Sequence, residues 1–425
     1  MCVSTISMCS KSRGSEADQI MIKELYQENV KEVSINLSQT RVESIRKKSV
    51  TKSCCRIYKH GVLGIAGALG EPAKALWKTA ENNLALGLPY PFAPETNLCR
   101  SRDLRKITVD AGTYVAFAEQ FAENLRREYP QLLFSNKMCM QETAYRLTND
   151  AGLNYESLDN IFGFGLMIKA VDSSSIIDTE VVLSVRTLDM ESLMSDICAS
   201  MDAFLNPVPL PAGDKLPIVI TSDSPLLVSK LEEALNGEMV GRGTSLLGSR
   251  IGRKVFNDSV TVYQDRSEEI EGIPFFDLEG NTFEGDRCPL IRSGVVLRPY
   301  TDKKTAADFH MELTGAAGGG YDAVPTLTAP ALTLAPGQKT LKELLGGRPA
   351  LQIEIASGGD YTDEGLFASP IQMAYLTDGV RPIGKLPEFS VSGNLFDMLG
   401  GDFIGVSSDT PLSGRHAAVI NMKIN

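Results

Sequence analysis

Apolar and polar residues alternate with a period of two from Val30 to Leu37 and from Thr40 to Arg46. The alternation resumes through Cys55-Arg56-Ile57-Tyr58 and His60 to Ala66, around a turn at Lys59 to Gly61. A period of two sends successive side chains to opposite faces, so these runs predict strands. The period then changes. Pro72 stands where a first helical turn tolerates it, and Ala75, Leu76, Ala80 and Leu84 follow at helical spacing. Asp110 predicts the cap of a second helix with Val115, Ala118, Phe121, Ala122 and Leu125 on one face. Between Gln131 and Leu188 the period returns to two, in Met138 to Met140, Thr143 to Leu147, Ile161 to Ala170 and Thr179 to Val185, with a turn at Asn149 to Gly152. An antiparallel meander is predicted there. A third helix, Met190 to Phe204, carries a core stripe of Leu193, Ile197, Met201 and Leu205.

The stretch Asn206 to Gly213 contains three prolines, which favour extended backbone, and reads as a linker. It divides the chain into a disordered leader (1–21), an N-terminal α+β domain (22–206), the linker (207–214) and a C-terminal, mainly β domain (215–425). Beyond the linker, Leu216 to Ile220 predicts a strand, and Pro225 to Leu235 a helix opened by Ser222, Asp223 or Ser224. Gly379, Gly384 and Gly393 separate alternating runs that suit a twisted antiparallel sheet or barrel-like sandwich with helices at one end. Strands grouped in this way, without regular alternation with helices, give an α+β class.

At 425 residues the chain exceeds the reach of one hydrophobic core. A formal net charge of −11 argues against nucleic acid as a partner, because phosphate binding rests on clustered Lys and Arg. The run Arg46-Lys47-Lys48 reads as a solvated strand face, and no segment has the apolar length of a membrane helix. Eight scattered cysteines without a C-x-x-C pair suit a reducing cytoplasm. Adjacent Cys54 and Cys55 point to opposite strand faces, which suits burial of one of them.

Most catalytic signatures are missing. There is no G-x-S-x-G elbow and no phosphate-binding G-x-x-x-x-G-K-[ST] loop, and the glycine run Gly315 to Gly320 suits a close backbone crossing more than a phosphate cradle. His60, His310 and His416 share no metal-ligand spacing. Asp277 and Glu279 lie two apart in a turn, a spacing that fits an Asx turn as well as an acid/base pair.

Order along the second half of the chain says more than any single motif. Gly243-Thr244-Ser245-Leu246-Leu247 precedes Asp277-Leu278-Glu279-Gly280, Gly294-Val295-Val296-Leu297, Tyr300 with Ala306 and Ala307, and Thr314-Gly315-Ala316-Ala317. Pro325, Pro330, Pro336-Gly337, Leu341 to Leu344 and Ser392-Gly393-Asn394-Leu395 follow. This succession resembles the C-terminal domain of the TldD/PmbA family, which is related to metallopeptidases. The resemblance implies a histidine pair, H-E-A-x-G-H, in the catalytic branch. Aligned here, Glu-Ala falls on Glu233-Ala234, and the two ligand positions become Glu232 and Gly237. The branch's third ligand, a late cysteine, has no counterpart after Cys288.

By that resemblance the chain is expected to be a metal-free subunit of the PmbA/TldE type, without catalytic residues or metal of its own. It would be paired with a TldD-like subunit that carries Zn²⁺, in a chamber where unfolded peptides are held as an added strand. Asp277, Glu279, Gly315 and Asn394 are its candidate chamber or turn positions. Two alternatives are a homodimer that binds peptides without cutting them, and an enzyme of other chemistry using Asp277, Glu279 and Ser245.

Overall fold

The computed structural model describes residues 21–425, so the predicted leader lies outside the described residues except for Met21. The N-terminal half is built on two long hairpins. β1 (Ile22–Ser38) pairs antiparallel with β2 (Arg41–Lys59), and β5 (Leu132–Asn149) with β6 (Asn154–Ala170). With β3 (Val62–Leu69), β4 (Cys99–Asp103) and β7 (Thr179–Val185) they form a seven-stranded sheet of order β3-β2-β1-β5-β6-β4, in which β7 also pairs with β6. β3 pairs only with Lys52 to Lys59, so the outer half of β2 keeps an open edge among the described residues. There Arg46, Lys47 and Lys48 are exposed.

Three helices follow from local chemistry. α1 (Lys74–Asn83) covers β2 and β3. α2 (Ala111–Glu128) starts at Asp110, whose carboxylate accepts from the Gly112 and Thr113 amides at 2.8 and 3.1 Å. Its Ala118, Phe121, Ala122 and Leu125 are buried with Ile35, Leu37, Phe162 and Phe164 of the sheet. α3 (Met190–Phe204) adds Leu193, Ile197 and Met201 to that core. Leu205 departs from the predicted stripe. It is the residue after the last helical turn and is 40% exposed.

Cys54 and Cys55 also differ from expectation, since both are fully buried. Cys55 lies under α1 with Ala80, whereas Cys54 is covered by Phe275 and Phe276 from the other half of the chain. Burial of both follows because this part of the sheet is covered on its two faces.

The C-terminal half contains a closed ring of five strands. Lys215–Thr221 pairs with Ala417–Ile424, which pairs with Phe389–Asn394, then Leu366–Thr377, then Ala350–Ala356, which closes in parallel on Lys215–Thr221. Ile218, Ile220, Ile371, Val391, Ala418 and Ile420 fill one core cluster with the buried face of α4 (Pro225–Ala234). α4 begins after Ser224, and α5 (Gly237–Gly241) and α6 (Lys303–Asp308) lie close to each other beyond it.

Four arginines of the N-terminal half join the halves by reaching the backbone or acids of the segment 266–286. Arg56 donates to the Leu278 carbonyl, Arg102 to those of Arg266 and Ile273, and Arg186 to those of Glu268 and Ile270. Arg100 holds Asp286 through both carboxylate oxygens at 2.6 Å.

Candidate functional site

The segment after Phe276 turns sharply because Asp277 organises it. Its Oδ1 accepts from the amides of Glu279 and Asn281 at 2.9 and 2.7 Å, and its Oδ2 from Asn281 Nδ2 and the Ala317 amide at 2.9 and 3.1 Å. With these bonds made, Asp277 forms an Asx turn and has no free lone pair aimed at a substrate. Gly315 packs against the same turn with φ +60°, and a Cβ there would stand 2.7 Å from Asn281 Cβ. Asp277, Glu279 and Gly315 are therefore neighbours. Asn394 is separate. It ends a barrel strand and accepts from the Phe396 amide at 2.9 Å, opening a short helix.

Glu279 is buried at the seam between the two halves. Tyr90 donates to it at 2.7 Å and the Lys303 amide at 2.9 Å. Lys303 Nζ lies between the Ala93 carbonyl at 2.8 Å and Glu95 at 3.0 Å. Burial, reinforced by the Asp277 carboxylate, pushes the Glu279 carboxyl up to about 7 from an ordinary 4.5. The folded chain thus keeps a proton that the unfolded chain releases between those two values. This group's contribution to stability is full below about pH 4.5, falls as the pH rises and is lost above about 7. Glu279→Gln is accordingly expected to gain stability relative to the parent between pH 5 and 8, by up to about 3 kcal/mol. Urea unfolding of both proteins across that range checks it, and a difference independent of pH would contradict the protonated state.

The two aligned ligand positions fall on different helices, Glu232 on α4 and Gly237 at the start of α5. Glu233 is occupied by Lys230, a buried lysine that donates to both of its carboxylate oxygens at 2.8 Å. Glu232 is half-buried, and burial pushes its carboxyl above the ordinary range. Gly237 begins α5, capped by Asn236, and its amide donates to the Tyr300 carbonyl at 3.0 Å. A Cβ at this position would lie 2.7 Å from that same oxygen, so the backbone of Tyr300 occupies the space a ligand side chain would need.

Among the described residues, no three His, Cys, Asp or Glu side chains converge as metal ligands. Ser245 is also in structural use, donating to the Ala234 carbonyl at 2.5 Å and accepting from the Leu247 and Gly248 amides. His60 and His310 are exposed turn residues with φ near +50°.

Sequence reasoning missed a cavity of about 600 Å³ where the two halves meet. Lys106 and Arg186 enter it from the N-terminal half, and Asp223, Arg287, Arg415 and His416 from the C-terminal half. These residues are scattered over more than 300 positions, and no local spacing announces them.

Residues 214–420 match the family model of the PmbA/TldA metallopeptidase C-terminal domain. A protein named metalloprotease from Methanothermobacter thermautotrophicus is 24% identical over 181 residues, which is 42% of this chain and 39% of that one. The match thus spans about two fifths of that relative's length. TldE from Thermococcus kodakarensis has a similar structure, with a TM-score of 0.75 at 16% identity, covering 96% of this chain and 97% of TldE. A proposed modulator of a DNA gyrase from Thermotoga maritima MSB8 gives a TM-score of 0.72 at 18% identity, covering 95% and 96%. At these identities the two structural matches speak for the fold.

Proposed function

The chain belongs to the TldD/PmbA family, and from that premise we propose that it is the metal-free subunit of a heterodimeric zinc peptidase acting on small or unfolded peptides. The observation that carries this reading is the closed second ligand position, where the Tyr300 carbonyl stands 2.7 Å from a Cβ built on Gly237. Glu233 supports it further, because Lys230 of the same helix donates to both of its carboxylate oxygens and holds the side chain there. In this reading the partner supplies Zn²⁺ and the catalytic glutamate, and this chain supplies wall and peptide-binding surface. The open outer edge of β2 is the kind of backbone to which an extended peptide can add.

The test is affinity recovery of the tagged full-length chain from its native cells, with mass spectrometry and zinc quantified in the same fraction. Near-equimolar recovery of a homologue carrying H-E-x-x-x-H, with about one zinc per pair, is the expected result. Chelator-sensitive peptidase activity should follow the partner's histidines. Recovery of this chain as a self-associating species without metal would favour a peptide-binding homodimer, and chelator-sensitive cleavage by the isolated chain would refute the proposal.

A further inference from the structure

Lys303 stands between two acids that belong to different parts of the seam. It opens α6, and its ammonium bonds the Ala93 carbonyl at 2.8 Å and the Glu95 carboxylate at 3.0 Å, both in the segment 91–96 of the N-terminal half. The same ammonium lies 3.4 Å from the Glu279 carbonyl, and the Lys303 amide donates to the Glu279 carboxyl at 2.9 Å. Few other contacts hold the segment. Pro91 and Pro94 have no amide to donate, Phe92 packs on Tyr90, and the Glu95 carbonyl accepts from Asn149 at 2.8 Å.

The two acids differ in what water can do for them. The Glu95 side chain is 34% exposed, so it remains solvated without the ammonium. Glu279 is only 4% exposed, and a charge there must be met from within the protein. Asp277 faces it from its own turn and Tyr90 from the start of the segment. Behind Tyr90 stands Tyr58, bonded to Glu24. Arg56 is committed to Glu24 and the Leu278 carbonyl, and Asp302 to capping the Thr305 amide at 2.7 Å. Among these groups, Lys303 is the cation able to change partners.

We propose that Lys303 is a two-position latch: with Glu279 protonated its ammonium ties down the segment 91–96 through Glu95 and Ala93, and with Glu279 ionised it turns to Glu279 and lets that segment go. Burial and the Asp277 carboxylate keep Glu279 protonated up to about pH 7, so the latch is closed below neutrality and open above it. None of these residues belongs to the degenerate metal helix, so the latch does not depend on the subunit assignment above.

Cleavage of the full chain by a glutamyl endopeptidase at the Glu95-Thr96 bond tests it, because proteolysis of a transiently opened segment tracks its open population. The two fragments are quantified by mass spectrometry, and the rate at each pH is divided by that on a short peptide of the same sequence. From pH 6 to pH 8 the normalised rate is expected to rise at least about tenfold, as the loss of a charged hydrogen bond implies. Glu279→Gln should stay at the slow rate throughout, and Lys303→Met should be cut at the fast rate at both pH values. A parent rate that is flat with pH, or an equal rise in Glu279→Gln, overturns the proposal. A parallel rise at glutamates throughout the C-terminal half also overturns it, since the whole fold would then be loosening.

Discussion

Arg56→Ala is expected to lower the unfolding free energy by about 3–5 kcal/mol, the range for breaking a buried ion pair from one side. The guanidinium is completely buried, donates to the Leu278 carbonyl at 2.5 Å and lies 3.4 Å from Glu24, which is itself only 1% exposed. Truncation leaves the Glu24 carboxylate inside the protein with only the Tyr58 hydroxyl, at 2.8 Å, and a weak contact from Asn149. It also removes a donor from a carbonyl at the seam. The pair is costly as well as stabilising, since Nε and Nη2 of Arg56 have no partner among the described residues. The double variant Arg56→Met with Glu24→Gln should therefore recover most of the loss. Urea denaturation of the three proteins decides the matter. A single variant within 1 kcal/mol of the parent, well below the range above, would mean that this contact does not hold the halves together.

Gly237→Ala is expected to cost about 1–3 kcal/mol by overpacking, and Gly237→His more. The added carbon would stand 2.7 Å from the Tyr300 oxygen and 2.9 Å from the methyl groups of Thr301 and Thr305, so relief requires moving α6. Installing both histidines, Glu232→His with Gly237→His, should lower the melting temperature and leave the purified protein without stoichiometric zinc. A double variant that melts like the parent and holds one zinc per chain would show that the site is open after all, and would undercut the metal-free reading.

What could be read from the sequence was mainly what residues decide within a few positions. Asp110 as a helix cap, the face of α2 and the turn at Asp277 are set by neighbours two to four residues away. The hairpins were legible only in part. Around Gln27 to Asn29 and Ser49 to Lys52 both strands carry polar residues on both faces, which blurs the alternation although the backbone pairing continues. β4 has almost no apolar pattern, and its position depends on parallel pairing with β6. The surroundings of Glu279 were out of reach for a different reason, since Tyr90, which donates to it, lies 189 residues away. Sequence could propose the carboxylate but not the burial that raises its pKa.

The arginine row also bears on how force would pass through the molecule. Parting the halves would strand several guanidinium groups and the carbonyls they hold, each a charge-assisted contact that water replaces incompletely. The proline-rich stretch at 207–214 is therefore a poor hinge despite its position. Its Val208 amide is bound to Lys385, and the segments it connects are clamped elsewhere. A push applied at the barrel would be felt along the long hairpins of the opposite sheet, so in any assembly this chain should tilt or shift as one stiff plate, leaving opening and closing to its contacts with other chains.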